Sequence, residues 1–176
     1  TEGWPPNADL CRHRIVPLGI RFQQADGGGP LPFADGAFDL ILNRHGSYDP
    51  AEVCRLLRPG GMFITEQVGA QNDRELVELL LGEQPLPFPR QTLACASEAA
   101  QNAGLRVLRG EQAFRPVRFW DVGALVWFAR VLPWEFPGFS VEACRERLCR
   151  AQEILDRNGV IEGTIHRYLL VAQKDK

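Results

Sequence analysis

The chain has no long run of like charges, and its 20 basic and 22 acidic side chains leave a formal net charge of −2. That balance supplies no electrostatic footprint for nucleic acid or for an anionic membrane surface. Long apolar runs are missing as well. The longest nearly apolar stretch, Val122 to Leu132, falls well short of the ~20 residues that a membrane-spanning helix needs, and no segment reads as a signal peptide. Histidine is scarce, with only His13, His45 and His166. The cysteines (Cys11, Cys54, Cys95, Cys144 and Cys149) are odd in number, scattered and never spaced Cys-x-x-Cys. Neither a zinc site nor a disulfide framework is indicated, and the thiols read as those of a reducing, cytoplasmic compartment. Gly27-Gly28-Gly29-Pro30 does not fit Gly-x-Gly-x-x-Gly, and its proline would disrupt the helix start that a dinucleotide fingerprint requires, which argues against an NAD enzyme.

The 176 residues are enough for one domain of ordinary size with a real core. Thr1-Glu2-Gly3-Trp4 reads as a strand end followed by a turn. A short helix is expected over Ala8–Leu18, and Ile20–Asp26 reads as a strand that ends on an acid. Phe38–Asn43 is a continuous apolar run of the kind a parallel strand buried on both faces requires. Asp49-Pro50-Ala51-Glu52 is a helix start, with an acid to cap, proline at the first helical position and glutamate to close a capping box. Pro59-Gly60-Gly61 stop that helix ahead of a strand at Met62–Thr65. Asn72 is expected to cap a helix with Leu76, Leu79 and Leu80 facing inward. A helix over about Thr92–Ala103 leads to a strand at Leu105–Leu108. Alternating strands and helices joined by short loops imply a parallel sheet covered by helices.

Composition changes after that strand. Half of the chain's phenylalanine, tyrosine and tryptophan residues lie between Phe114 and Phe139. Asp121–Leu132 is helical and apolar nearly all round, Pro133–Phe139 makes a rigid aromatic loop, and Val141–Arg157 is a charged helix. The chain closes on a β-branched and aromatic strand, Thr164–Ala172. The expected organisation is therefore a cofactor-binding domain over 1–110, an aromatic-rich helical insertion or lid over 111–162, and a final strand over 163–176 that completes the sheet. Within the insertion Trp120, Trp127, Phe128, Trp134 and Phe136 are core plus lid, or a surface on which a substrate stacks.

The set formed by Asp26, Leu31-Pro32-Phe33, Phe38-Asp39-Leu40-Ile41 and Arg58-Pro59-Gly60-Gly61 followed by Met62-Phe63-Ile64-Thr65 resembles, in order and spacing, the second half of the cofactor-binding domain of class I S-adenosylmethionine-dependent methyltransferases. The resemblance is specific over residues 1–110. It implies an α/β fold of Rossmann-like type, mostly parallel with an antiparallel last strand, and lacking the family's glycine-rich loop at its N-terminal side. It also implies S-adenosyl-L-methionine as cofactor. Glu2 is then the acid that accepts the ribose hydroxyls, with Gly3 beside it. Asp26 and the Gly27 backbone read the adenine, Trp4 covers an adenine face, and Asn43 leaves the buried strand at the methyl-transfer edge. His45 follows as a candidate general base, its imidazole suited to proton transfer near neutrality, or as lining of the pocket.

The methyl acceptor implied is a small molecule or an RNA. Asn43-Arg44-His45-Gly46-Ser47-Tyr48 lacks the Asn/Asp-Pro-Pro-Tyr pattern of enzymes that methylate exocyclic amino groups of bases. Some rRNA guanine methyltransferases share the Leu-Pro-Phe loop and Pro-Gly-Gly turn but carry a zinc module not found here. The missing glycine loop implies weak cofactor binding by this stretch alone, and supports a rival reading as a non-catalytic binding or assembly module. It also implies two unpaired sheet edges through which copies associate.

Overall fold

The computed structural model describes residues 1–25 and 29–176. Four long strands form one sheet: β1 (Phe38–Arg44), β2 (Leu57–Val68), β3 (Leu105–Phe119) and β4 (Ile161–Lys174), in the order β1-β2-β4-β3. β1 and β2 are adjacent and parallel, with Ile41 opposite Phe63 and Asn43 opposite Thr65. β4 lies antiparallel between β2 and β3. Three strands thus run one way and the last is reversed, which is the sheet the sequence implies.

Each link between these strands has a local cause. Asp49 accepts the Ala51 N–H at 2.9 Å and caps helix α2 (Pro50–Leu56). Glu52 does not close the expected capping box. Its carboxylate instead accepts the Leu31 N–H at 2.7 Å and pairs with Arg55. Arg55 in turn donates to the Leu31 and Phe33 carbonyls and to Asp35, so the Leu-Pro-Phe loop is clamped onto α2. In the Arg-Pro-Gly-Gly turn the two glycines do different jobs. Gly60 has φ +80°, a left-handed conformation that other residues adopt at a cost. A Cβ on Gly61 would meet the Arg58, Phe38 and Asp39 carbonyl oxygens at 2.9, 3.1 and 3.2 Å, so glycine lets β2, which begins at Leu57 and not at the expected Met62, pass this close to β1.

Two hydrophobic clusters organise the molecule. The first joins Val53, Leu57, Phe63, Ala100, Leu105, Leu170 and Ala172, fastening α2 and helix α4 (Leu93–Asn102) to the sheet. The second joins Leu76, Val77 and Leu80 of α3 (Arg74–Leu81) with Leu125 and Ala129 of α5 (Val122–Val131), Phe136, Ala151 of α6 (Arg145–Asn158), and Phe119 and Ile161. The second cluster forms where β3 and β4 run on past β2. β2 ends at Val68 opposite Arg167, whereas β3 and β4 stay paired as far as Phe119 and Ile161. β3 therefore crosses the expected boundary at residue 110 before the helical segment begins.

Several elements differ from their sequence expectation. The first helix, α1, is Pro5–Arg14 followed by a 3-10 turn at Val16–Leu18, because Pro5 and Pro6 occupy the first positions, where no donor is needed. Ile20–Ala25 does not form an extended strand. Only a parallel bridge joins Gln24 to Glu2, and without further neighbours there is no ladder to extend it. β1 is not covered on both faces, since Leu40 and Leu42 are 47% and 69% exposed. Asn72 is not a helix cap. Asp73, at φ 55°, precedes α3 without a side-chain cap, and Asn72 turns inward. The phenylalanines and tryptophans of the helical segment divide: Phe136 is buried and Phe128 packs beside it, while Trp120, Trp127 and Trp134 are exposed. No helix among the described residues is long and apolar enough to cross a membrane.

Candidate functional site

The carboxyl ends of parallel strands are where α/β sheets gather ligands, because the loops diverge there. A cleft of about 420 Å³ opens at the end of β1. Its walls come from Glu2 and Gly3 with Ala25, Gly29 and Leu31, the β1 residues Ile41 to Arg44, the Gly46–Asp49 loop leading into α2, α2 itself through Glu52, Val53 and Leu56, and Phe63 of β2. That volume suits a small-molecule site.

Glu2 stands on one wall. Its Oε1 accepts the Trp4 N–H at 2.8 Å and its Oε2 accepts the Asn7 amide at 3.2 Å. These bonds, the Trp4 amide first, hold its carboxyl below the usual carboxylate range. The side chain is thus ionised and oriented, and a carboxylate with one donor on each oxygen retains lone pairs for further donors. Gly3 and Asn43 line the same cleft. Trp4 does not: it is 66% exposed and outside the lining. Asp26 and Gly27 lie outside the described residues, with Ala25 and Gly29 on either side at the cleft wall.

Asn43 is engaged from behind. Its Oδ1 accepts the Thr65 hydroxyl at 3.0 Å and the Gln67 amide at 2.6 Å. Gln67 also donates to the Gly46 carbonyl at 3.0 Å and to Thr65 Oγ1 at 2.8 Å. A buried polar network therefore ties the loop after β1 to the face of β2. No sequence motif marks Thr65 or Gln67 as a partner of Asn43. The signal that would have found both is their phase. Phe63, Thr65 and Gln67 alternate on the buried side of β2, and polar residues in core-facing phase require partners. Tyr48 is a further cleft residue, its ring 4.9 Å from Phe63 and its hydroxyl pushed up by burial.

His45 follows Asn43 but turns away from the cleft lining. It takes φ 57°, its N–H donates to the Glu66 carbonyl at 3.0 Å, and its Nε2 lies 3.4 Å from Glu66 Oε1. Glu66 also lies 3.5 Å from Arg44. Glu66 thus pairs across the two strand ends.

Matches with known proteins now bear on this geometry. No family model matches the chain. A fatty-acid O-methyltransferase of Mycolicibacterium smegmatis is 36% identical over 90 residues, 47% of this chain and 32% of that protein. A phthiotriol/phenolphthiotriol dimycocerosates methyltransferase of Mycobacterium tuberculosis is 36% identical over 84 residues, 44% of this chain and 31% of its own length. The match thus spans about a third of the length of the curated relatives. Among solved structures, one from Bacillus halodurans described as a methyltransferase superposes with a TM-score of 0.63 at 14% identity, covering 99% of this chain and 81% of that one. Strand order and superposition give the chain the class I methyltransferase fold, and the sequence likeness to named methyltransferases points the same way.

Proposed function

We propose that this chain forms the ribose-side and acceptor-side walls of an S-adenosylmethionine-dependent methyltransferase acting on a small molecule. The observation that carries the reading is the oriented Glu2 carboxylate facing the carboxyl end of β1 across one cleft. The residues present fit the nucleoside half of that cofactor, which offers two vicinal hydroxyls to a carboxylate. The cofactor would supply a sulfonium methyl for transfer. The protein's own work is positioning and exclusion of water. Glu2 holds the ribose, the Asn43–Thr65–Gln67 network fixes the Gly46–Asp49 loop, and Tyr48 closes the wall beside Phe63.

His45 serves as the base in this reading, and because its ring lies outside the cleft lining it must swing from beside Glu66 to reach the acceptor. With its Nε2–H directed at Glu66, Nδ1 remains as the proton acceptor. The relatives named for fatty-acid and phthiotriol substrates support an oxygen nucleophile on a lipid-like molecule over RNA. The second reading, a non-catalytic assembly module, draws on the free edge and exposed leucines of β1.

Binding of S-adenosylmethionine, followed by saturation-transfer NMR and equilibrium dialysis, tests the proposal. Glu2→Ala should weaken binding at least ~10-fold through loss of charge-assisted bonds. Unchanged binding in Glu2→Ala would remove the ribose assignment. His45→Ala should lower single-turnover methyl transfer while leaving cofactor affinity nearly constant; parallel changes in both would remove the base assignment.

A further inference from the structure

Away from the cleft, a second polar cluster is buried where the aromatic loop meets the turn after β2. Asn72 is 6% exposed, Asp73 2%, Glu135 9% and His166 3%. The Asn72 amide donates to Asp73 Oδ2 at 2.6 Å and lies 3.4 Å from Glu135 Oε1, so one side chain joins the turn to the loop. Its Oδ1 accepts the His166 N–H at 3.1 Å and the Arg167 guanidinium at 2.7 Å. Asp73 Oδ1 has no hydrogen-bond partner among the described residues. Two carboxylates therefore share a dry site, bridged by a neutral amide, and the nearest guanidinium binds the bridge.

Such a site cannot hold two negative charges cheaply. Burial, with Glu135 next, pushes the Asp73 carboxyl up to about 6, and burial also raises that of Glu135. The other charged groups facing the pair are Glu75 and Arg74 of α3 and Arg167 of β4. His166 faces the same turn. Its Nδ1 accepts the Gln71 N–H at 3.2 Å, its ring stacks on Phe114, and burial holds it neutral to lower pH than an ordinary histidine.

We propose that Asp73 and Glu135 form a proton-operated latch that fastens the Pro133–Phe139 loop onto the Gly69–Asp73 turn at the carboxyl edge of the sheet. The latch is closed when one carboxyl carries a proton and is loosened when both are ionised. The turn starts immediately after β2, whose Gln67 braces the cleft loop, so the latch sits on the same strand end as the candidate site. It does not depend on what the cleft binds.

The sign follows from linkage. A carboxyl whose pKa is raised in the closed state binds its proton more tightly there, so closure is favoured as pH falls from about 6 toward the ordinary aspartate value. Above about 6 the loop bears the full cost of a buried charge. Neutral His166 pulls the other way on acidification, because its protonation breaks the Gln71 bond. Comparison with Asp73→Asn, which is neutral at every pH, cancels that contribution.

Hydrogen exchange of the 69–73 and 133–139 peptides, corrected for intrinsic rates, measures the opening. Asp73→Asn should open about a hundredfold less than the unaltered chain at pH 7, and the gap should narrow to about tenfold at pH 5, since the raised pKa spans about two pH units. Peptides in β2 and β4 should not change. Glu135→Gln removes the repulsion but leaves Asp73 buried and ionisable, so it should give a smaller narrowing of the same sign, which keeps the test open if Asp73→Asn packs poorly. A gap that is absent or independent of pH in both variants, or one shared equally by the β2 and β4 peptides, overturns the latch.

Discussion

Replacing Asn43 by alanine tests whether the cleft loop is held by the network behind it. The change removes the oxygen that accepts from Thr65 at 3.0 Å and from Gln67 at 2.6 Å. Gln67 retains two acceptors for its two amide protons, the Gly46 carbonyl and Thr65 Oγ1. The Thr65 hydroxyl, fully buried, loses its acceptor. Stranding one buried donor costs about 1–3 kcal/mol, and losing one ordinary hydrogen bond adds about 1 kcal/mol. The expected loss is about 2–4 kcal/mol, or roughly 4–16 °C in melting temperature for a chain of this size. Urea denaturation followed by far-UV circular dichroism reads it directly, with an unchanged slope showing that the unfolded state is the same. Asn43→Asp keeps an acceptor oxygen in place and should retain most of the stability. A loss below about 0.5 kcal/mol in the alanine variant, or equal losses in both, would refute the argument.

Three further outcomes are expected. Gly61→Ala should cost about 3 kcal/mol, because all three atoms its Cβ meets are backbone carbonyl oxygens, whereas Gly60→Ala should cost about 1 kcal/mol for a left-handed alanine that meets only the Lys176 side chain, at 3.9 Å; equal thermal shifts would contradict the packing account. The bond from Arg55, with the Leu31 amide, depresses the Glu52 carboxyl to about 2, so its hold on the Leu-Pro-Phe loop is fully present above the ordinary glutamate pKa and is lost only as pH falls through about 2. Carbon-13 titration of Glu52 checks this, and a midpoint near the ordinary value would discard it. Self-association through the free β1 edge should appear as concentration-dependent mass in light scattering and be suppressed by Leu42→Lys on the exposed face; a strictly monomeric wild type removes the basis for it.

Much of this molecule is written locally. Asp49-Pro50 starts α2, Thr92 and Asp121 cap α4 and α5, and Gly60 takes the left-handed turn early in β2, because each depends on φ/ψ preferences and donors within a few residues. The parallel pairing of β1 with β2 and the antiparallel insertion of β4 were also legible, through the order and spacing of the motifs they carry. Glu2 and Asn43, which the resemblance singled out, both line one cleft. What local pattern could not decide is which side chains meet across distance. His45 directed at Glu66, Arg55 clamping the Leu-Pro-Phe loop, Asn43 joined to Thr65 and Gln67, and Asn72 drawn inward to Glu135 each link residues about twenty or more positions apart. An apolar run announces burial, but Leu40 and Leu42 are exposed because burial belongs to the neighbours a strand acquires and not to the strand itself. Charge and polarity in one segment acquire their meaning only when the sheet has chosen what lies opposite.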